Sequence, residues 1–427
     1  MKRPLRRTLV LKVFIEQATT NSEQWMMNNK QRTINLYLGM SEENVNSEEG
    51  SGTPLRDAGG TVFRVIIAGG GTGGHIFPAI AIANALKKQE PSTKILFVGA
   101  QGKMEMEKVP QAGYEIKGLD IAGFNRSSLI KNIGLPLKLI KSFLQVRKII
   151  NDFKPDAVIG VGGYSSFPVL RYAQTKGIKT YIHESNSFAG KSNRMLGRNA
   201  TKIFVAGDGM EKFFPKNKII ITGNPVRSSI AHSTVTRADA FRFFGLDENK
   251  TTVLAVGGSL GAKSINEALA SHLDYFSLND LQLIWQTGTA TAQEYIEKAK
   301  GHLNIWAGDF ISQMEMGYAA ADVVISRAGA MAVTELCVAK KPVIFVPFPF
   351  AAEDHQTVNA QHLVQREAAL MIKDSEANEK LAAAVVSLAG NKELREKLEE
   401  NIGKLAILNA DEVIAREIAP LPPEGGF

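Results

Sequence analysis

Two glycine-rich turns of the same kind lie about 190 positions apart in this chain. The first is VIIAGGGTGGHIFP, residues 65–78, and the second is VLAVGGSLGAKSIN, residues 253–266. Each turn follows a short apolar run and opens a helical stretch, and the free backbone N–H groups at the start of a helix bind anions. This pairing restricts the chain to few folds. We expect two similar α/β domains that face each other, with phosphates bound between them.

Apolar runs that alternate with helical patterns extend over the chain from residue 61 onward. The first half contains FRVIIAG, KILFVGA, DAVIGVGG, KTYIHE, KIFVAG and KIIITG, and the second contains TVLAVGG, LQLIWQTG, LNIWAGDF, DVVISRAG, PVIFVPFP and ALMIKD. Continuous Val, Ile and Leu runs indicate strands that helices bury on both faces. Each half is therefore predicted to be a doubly wound, Rossmann-like parallel sheet. Residues 224–227, which include Pro225, form the predicted linker.

The composition is that of an ordinary globular protein, with 44% hydrophobic and 22% charged residues among 427. The only cysteine is Cys337, so the chain can form no intramolecular disulfide. No run of 18 apolar residues occurs, and we expect no membrane span. Residues 1–60 are rich in Ser, Asn, Glu and Gly and are predicted to be a disordered extension.

The first turn matches the dinucleotide fingerprint, with glycines at positions 69, 71 and 74. A nicotinamide site also needs an acidic residue at the end of the second strand, but that strand ends in FVGAQGK. The sequence therefore disfavours nucleotide redox chemistry. His75 follows the turn at the mouth of the predicted cleft, where a neutral imidazole can accept a proton near pH 7. The alternative is a histidine that only packs at the helix start.

Two further polar turns follow predicted strands of the first half. Gly162 and Gly163 follow DAVIG and form a second phosphate-sized turn, or simply a tight strand-to-helix connection. The run HESN, residues 183–186, follows KTYI. Four polar side chains just past a buried strand are costly unless they bind something, although Ser185 or Asn186 can also cap a helix.

In the second half, the run SRAGAMAVTE, residues 326–335, follows DVVI. Its small residues let a ligand approach the backbone N–H groups of a helix start. Glu335 can accept hydrogen bonds from two ribose hydroxyls, or can simply interact with the helix dipole. Gln356 and Asn359 lie three residues apart on one helical face, and amides suit sugar hydroxyls.

A basic segment without Asp or Glu extends between Asp120 and Asp152. Its cations are Arg126, Lys131, Lys138, Lys141, Arg147 and Lys148, and its apolar residues include Leu137, Ile140, Phe143 and Leu144. Such an element can lie on an anionic bilayer, or it can be a packed helix with a solvated basic face. The residues alone do not separate these alternatives. The sequence also lacks Asp-x-Asp, HExxH, GxSxG and P-loop motifs, which removes several metal-dependent and hydrolytic classes.

Seven motifs in order resemble the MurG family of peptidoglycan N-acetylglucosaminyltransferases. They are GGGTGGHIFPAIAIANAL, VGGYSSFP, HESNSFAGKSNR, GNPVR, GGSLGAKSIN, SRAGAMAVTEL and AEDHQTVNA. The resemblance implies the glycosyltransferase B fold: an N-terminal acceptor and membrane domain over residues 61–226, and a C-terminal UDP-GlcNAc-binding domain over residues 227–404. A final helix over about residues 405–420 would pack back on the first domain. The implied reaction transfers GlcNAc from UDP-GlcNAc to the 4-hydroxyl of MurNAc in the undecaprenyl-linked lipid I, with inversion, to give lipid II.

The resemblance also implies roles for individual residues. His75 is the candidate base and Glu184 the next candidate. Thr72, Gly73 and Gly74 border the sugars, and the acceptor diphosphate lies at Gly70, Gly71, Gly162, Gly163 and Tyr164. The implied donor contacts are Asn186 near the sugar, Arg227 and Ser259 at the diphosphate, the Ile311 backbone at uracil, Ala330, Met331, Ala332, Val333, Thr334 and Glu335 at phosphates and ribose, and Gln356 at GlcNAc hydroxyls. Two motifs depart from the family: Leu260 stands where Gln is common, and AAEDHQ stands where many relatives have a shorter or more basic stretch.

The implied partners are UDP-GlcNAc, lipid I, an anionic membrane surface, and cell-wall synthesis and division proteins, with no nucleic acid. Because the acceptor is a membrane lipid, the resemblance favours membrane contact by Lys138, Lys141 and Phe143 at the cytoplasmic face of the bacterial inner membrane. No cofactor or metal is expected. The alternatives are a transferase of this fold with another lipid acceptor, a UDP-GlcNAc 2-epimerase, and a nicotinamide-dependent oxidoreductase.

Overall fold

The structure, a computed structural model, describes residues 62–122, 135–290, 292–351 and 354–419. The predicted disordered extension, residues 1–60, and part of the basic segment, including Arg126 and Lys131, lie outside these ranges. The described chain contains two parallel β-sheets, each covered by helices on both faces.

The N-terminal sheet has seven parallel strands in the order β3-β2-β1-β4-β5-β6-β7. Its strands are β1 (Arg64–Ala68), β2 (Lys94–Ala100), β3 (Glu115–Leu119), β4 (Ala157–Gly160), β5 (Lys179–Glu184), β6 (Lys202–Val205) and β7 (Ile219–Ile221). Its helices are α1 (Gly73–Gln89), α2 (Glu105–Gln111), α3 (Leu135–Phe153), α4 (Ser166–Thr175) and α5 (Lys191–Gly197). The central strand β1 pairs with β2 and β4, so the order in which successive strands are added to the sheet reverses between β1 and β4. A crevice forms at the carboxyl ends of strands at such a point.

The C-terminal sheet has six parallel strands in the order β10-β9-β8-β11-β12-β13. They are β8 (Thr251–Val256), β9 (Leu281–Gln286), β10 (Ile305–Gly308), β11 (Val323–Ser326), β12 (Val343–Phe345) and β13 (Leu370–Met371). The helices are α6 (Ser228–Ala231), α7 (Arg237–Phe244), α8 (Lys263–Ala270), α9 (Leu273–Leu278), α10 (Ala292–Ala299), α11 (Met314–Ala320), α12 (Ala330–Val338), α13 (His355–Val364), α14 (Ala377–Gly390), α15 (Lys392–Gly403) and α16 (Ala410–Ile418). Here the reversal lies between β8 and β11.

All twelve apolar runs identified in the sequence contain a strand, but β3 does not appear among them. Its sequence EIKGL is weakly apolar, and Glu115 and Lys117 form an exposed ion pair of 2.7 Å. The strand lies at the edge of the sheet, next to β2. An edge strand with charged outer residues lacks the continuous apolar run of a buried one, which is why the pattern missed it.

The last helix, α16, returns to the N-terminal domain and packs on α1. Ile414, Ala415 and Ile418 are buried in the same cluster as Val65 and Ile67 of β1. On the surface Lys88 and Glu412 form an ion pair of 2.9 Å between the same two helices. Helix α16 therefore completes the core of the N-terminal domain.

Candidate active site

The turns after β1 and β4 meet at the crevice of the N-terminal sheet. The Gly70 N–H donates to Gly162 O over 3.3 Å. A Cβ atom on Gly69 would lie 2.5 Å from Gly162 O, and one on Gly163 would lie 2.5 Å from Gly70 O. A side chain at either position would thus collide with backbone, so glycine is required for the two turns to approach each other. This approach also brings His75 beside Gly162.

His75 is the third residue of α1 and is half-buried. Its Nδ1 lies 3.1 Å from Gly70 O. Because a carbonyl oxygen only accepts, this bond places the hydrogen on Nδ1 and leaves the Nε2 lone pair for a proton. Burial lowers the pKa of His75 below 6.5, while the Gly70 bond and the charges of Glu184 and Glu105 act against that shift. The ring is therefore neutral near pH 7, as a base must be.

The structure changes the interpretation of the first glycine turn as a diphosphate site. The Gly71 N–H donates to Glu105 Oε2 over 2.8 Å, and the Gly70 N–H is bonded to Gly162 O. Neither group is free to bind the acceptor diphosphate, so this part of the prediction is not supported. The first N–H groups of α1 have no partner within the helix, and they remain as donors for an anion at Thr72, Gly73 and Gly74. The roles of Gly162, Gly163 and Tyr164 stay predictions.

Glu184 was the second candidate base, and its geometry does not support that role. Its Oε1 accepts from both the backbone and the side-chain N–H groups of Asn186, at 3.2 and 3.3 Å. Its Oε2 accepts from Gly190 N and Asn193 Nδ2, at 3.2 and 2.9 Å. The carboxylate is 5% exposed. Glu184 therefore holds the loop that carries Asn186, and both of its oxygens are occupied by that loop.

Glu335 lies on α12 of the C-terminal domain and is 7% exposed. Arg227 donates to its Oε1 from Nε and Nη2, at 3.1 and 2.9 Å, and the Tyr318 hydroxyl donates to Oε2 over 3.1 Å. Burial raises the pKa of Glu335, and Arg227 acts against this shift. The carboxylate predicted to bind the ribose is thus already engaged. Ribose hydroxyls must share it with Arg227 or replace Arg227.

Contacts across the cleft bring the two predicted half-sites together. The Arg227 guanidinium lies 5.0 Å from the centre of the Phe77 ring on α1. Asn224 Nδ2 donates to Thr334 Oγ1 on α12 over 2.9 Å. A Cβ atom on Gly74 would lie 3.9 Å from Cγ of Met331. The start of α1, which carries His75, therefore lies against the start of α12.

The remaining predicted donor residues belong to the C-terminal domain. Ser259 is exposed on the turn after β8. The Ile311 N–H donates to Gln286 Oε1 over 2.9 Å, so only its carbonyl is left for uracil. Gln356 Oε1 accepts from Phe348 N over 2.9 Å, which fixes the amide at the start of α13. Ala330, Met331, Ala332 and Val333 form the partly exposed first turn of α12.

The described part of the basic segment is the helix α3. Val146 and Ile150 pack in the domain core, whereas Ile140 and Leu144 are 60% and 61% exposed. Lys138, Lys141, Arg147 and Lys148 are also exposed, and Phe143 is half-buried. Lys141 forms an ion pair of 2.6 Å with Asp120. The helix thus has a packed face and a separate exposed face that is both basic and apolar. Within the described residues, no helix is long and apolar enough to cross a membrane.

Comparison with known families assigns both domains. Residues 65–205 match the N-terminal domain of glycosyltransferase family 28, and residues 252–415 match the C-terminal domain of that family. The chain belongs to glycosyltransferase family 28. The two matches include His75 and Glu335, whereas β7 and Arg227 lie between them.

Individual relatives place this family 28 chain with the MurG transferases. It is 52% identical over 362 residues to the UDP-N-acetylglucosamine–N-acetylmuramyl-(pentapeptide) pyrophosphoryl-undecaprenol N-acetylglucosamine transferase of Phocaeicola vulgatus, covering 84% of this chain and 96% of the relative. It is 48% identical to the protein of the same name from Flavobacterium psychrophilum, covering 84% and 98%. The resemblance found in the sequence is thereby confirmed.

Solved structures agree with the family 28 fold. MurG of Acinetobacter baumannii superimposes with a TM-score of 0.66 at 30% identity, over 84% of this chain and 100% of that chain. A UDP-N-acetylglucosamine 2-epimerase superimposes with a TM-score of 0.61 at 13% identity, over 86% and 99%. The second likeness shows the fold alone. The predicted architecture of two Rossmann-like domains around a cleft is confirmed.

Proposed function

We propose that this glycosyltransferase moves GlcNAc from UDP-GlcNAc to the 4-hydroxyl of MurNAc in undecaprenyl-pyrophosphoryl-MurNAc-pentapeptide, with inversion, and so forms lipid II. The observation that carries the proposal is the meeting of α1 and α12: the Arg227 guanidinium, bonded to Glu335 of α12, lies 5.0 Å from the centre of the Phe77 ring on α1. A base on one domain thereby faces a nucleotide-binding helix on the other. The names of relatives at 48–52% identity support the same substrates.

The proposed reaction is one direct displacement. The acceptor hydroxyl oxygen attacks the anomeric carbon of the donor while the bond from that carbon to the phosphate oxygen breaks. His75 Nε2 takes the hydroxyl proton, and UDP leaves with the electron pair. Attack opposite to the departing phosphate inverts the anomeric centre.

The departing diphosphate needs positive charge, which the protein supplies from its own groups. In this proposal the first N–H groups of α12, and the guanidinium of Arg227 that is bonded to Glu335 of the same helix, face the diphosphate, because a helix start stabilises an anion. We therefore propose that no metal ion is required. Excess EDTA should leave turnover unchanged, and a loss that Mg²⁺ restores would contradict this.

The lipid acceptor places the enzyme at a membrane surface. We propose that the exposed face of α3, with Lys138, Ile140, Lys141 and Leu144, lies on the anionic cytoplasmic leaflet. Such docking presents the N-terminal cleft to a membrane-bound diphosphate. It makes the protein peripheral to the bacterial inner membrane.

One assay tests the substrates directly. Purified protein is incubated with UDP-GlcNAc and a lipid I analogue, and the product mass is measured. Addition of one N-acetylhexosamine to the analogue is the expected result. A parallel incubation without lipid tests for 2-epimerisation of UDP-GlcNAc, and one with other polyprenyl-diphosphate sugars tests acceptor choice. Epimerised donor, or transfer only to another acceptor, would contradict the proposal.

A further inference from the structure

Glu105 is a buried carboxylate at the start of α2, and its side chain reaches into the first glycine turn. It is 1% exposed. Its Oε1 accepts from Ala100 N over 2.9 Å, and its Oε2 accepts from Gly71 N over 2.8 Å. A Cβ atom on Gly70 would lie 2.3 Å from the carboxyl carbon, and one on Gly99 would lie 2.5 Å from Cγ of Glu105. Because Gly70 and Gly99 have no side chains, they leave the space that Glu105 fills.

The peptide group between residues 70 and 71 joins this carboxylate to the imidazole of His75. Its N–H, from Gly71, donates to Glu105 Oε2, and its C=O, from Gly70, accepts from His75 Nδ1 over 3.1 Å. The order of groups is carboxylate, peptide, imidazole. Hydrogen bonds in such a chain polarise one another, because an anion that draws on the N–H makes the carbonyl oxygen of the same amide a better acceptor.

We propose that Glu105 is a positioning residue for His75 and acts through the peptide group of residues 70 and 71. The carboxylate holds this peptide in place, and the peptide holds the imidazole with its hydrogen on Nδ1 and Nε2 free for the acceptor proton. A carboxylate that orients a histidine directly plays this part in serine hydrolases. Here one amide group lies between the two. The proposal rests on the proposed function only for the role of His75 as base.

Several charged or titratable groups face the imidazole. Glu184 and His183 lie at the end of β5, His355 lies at the start of α13, and Glu105 lies on α2. Burial of the ring lowers the pKa of His75, and the negative charge of Glu105 opposes that effect. A base whose pKa falls too far binds a proton weakly, so Glu105 also preserves the basicity of Nε2.

The same contact explains why the first turn only imitates a dinucleotide site. In the fingerprint, the glycine N–H groups approach a pyrophosphate. In this chain the N–H of Gly71 already binds an internal anion, the carboxylate of Glu105. A second anion at this position would meet like charge at close range. The peptide group of residues 70 and 71 therefore serves the base, and an anion at this turn is left the N–H groups at Thr72, Gly73 and Gly74.

The first test uses the unmodified full chain and needs no substrate. ¹⁵N NMR of the histidine side chains, with His75 assigned by comparison with H75A, reports which ring nitrogen carries the hydrogen. We expect the Nδ1–H tautomer at pH above the His75 transition. The Nε2–H tautomer would overturn the proposal, because Gly70 O could not then accept from Nδ1. This measurement tests the hydrogen bond from His75 Nδ1 to Gly70 O, and so can overturn the proposal, even if variants of Glu105 fail to fold.

The second test replaces Glu105→Gln, which keeps the shape of the side chain and removes its charge. Partners that orient metal-bound histidines are worth ~10–100-fold in activity, and we expect a loss of similar size in turnover here. We also expect the acid limb of the pH profile to move to lower pH, together with the NMR transition of His75. UDP-GlcNAc affinity should not change. Glu107→Gln, the same substitution at an exposed site on α2, is the matched control and should leave all three unchanged.

A double-variant cycle separates positioning from general structure. If Glu105 acts through His75, E105Q should cause no further loss of turnover in the H75A background. An equal loss in both backgrounds, an unmoved acid limb, or full activity of E105Q would each overturn the proposal. Failure of the proposed function is distinguishable, because it appears as the wrong product mass while the NMR tautomer and transition of His75 are unaffected.

Discussion

In the proposed mechanism the reactive atom of His75 is Nε2, because Nδ1 is bound to Gly70 O. Burial lowers the pKa of the ring, so protonation occurs below pH 6.5. The neutral form is the active one. Turnover should therefore be at its plateau at neutral pH and should fall as the pH decreases through the lowered pKa of His75. An acid limb that does not coincide with the NMR transition of His75 would exclude His75 as the titrating base.

Replacement of His75→Ala should reduce kcat by ~10²–10⁴, because general base catalysis contributes about that factor. UDP-GlcNAc affinity should remain nearly unchanged, since the imidazole acts on the acceptor hydroxyl. Steady-state kinetics and donor titration measure both quantities. His302→Ala, far along the chain after α10, is the control and should match the unmodified protein. A near-normal kcat for H75A would exclude His75 as the base.

Glu335 accepts hydrogen bonds from Arg227 and Tyr318. Replacement of Glu335→Gln keeps the shape but weakens acceptance from two ribose hydroxyls, so KM for UDP-GlcNAc should rise about tenfold, which equals ~1.4 kcal/mol. The effect should shrink for a donor that carries 2′-deoxyuridine, because one partner hydroxyl is missing. Equal effects on both donors would show that Glu335 does not bind the ribose.

At the scale of elements, the two glycine turns of the N-terminal domain depend on each other. Gly163 has a φ of +84° and lies close to Gly70 O, whereas Gly177 has a φ of +70° with no neighbour within 4 Å of its would-be Cβ. Gly177→Ala should cost only the left-handed strain, ~1–2 kcal/mol. Gly163→Ala should cost more and should also reduce turnover by displacing the turn that holds His75. Urea unfolding and kinetics measure the two effects. Equal costs would contradict the close approach.

The exposed face of α3 is predicted to bind the membrane surface. The double substitution Ile140→Ser and Leu144→Ser removes apolar area that would enter the bilayer, at ~25 cal/mol per Å². Sedimentation with vesicles that contain anionic lipid should decrease, while turnover on a soluble acceptor analogue should persist. Leu303→Ser removes a side chain that is 96% exposed on the other domain and serves as control. Unchanged sedimentation of the double variant would contradict docking through α3.

At the scale of the whole molecule, the C-terminal helix α16 stabilises the N-terminal domain. Ile414 of α16 is fully buried with residues of α1 and β1. Ile414→Ala should destabilise the protein by ~2–5 kcal/mol, because it leaves a cavity in that core. Leu408→Ala, at a neighbouring exposed site, should change stability by less than about 0.5 kcal/mol. Similar unfolding midpoints for the two variants would show that α16 is dispensable.

The pattern of apolar runs was sufficient for the doubly wound sheets, because strands buried on both faces must be apolar throughout. It failed for β3, whose charged residues lie at an edge. The position of His75 after a glycine turn was sufficient to single it out. Nothing in the sequence around Glu105 distinguishes it from Glu107 on the same helix, since their difference arises only when the turn after β1 folds against α2.

The sequence by itself determined the two-domain architecture, the family and the candidate base, because periodicity and short motifs are local properties of the chain. Tertiary structure alone decided which hydrogen-bonding groups are free. It bound Gly71 to Glu105, enclosed Glu184 within its own loop and paired Glu335 with Arg227. Partners up to 108 residues apart satisfy these groups, and no local pattern encodes such pairs. The first glycine turn thus matches the glycine spacing of the dinucleotide fingerprint but differs from a nucleotide site in what the Gly71 N–H binds.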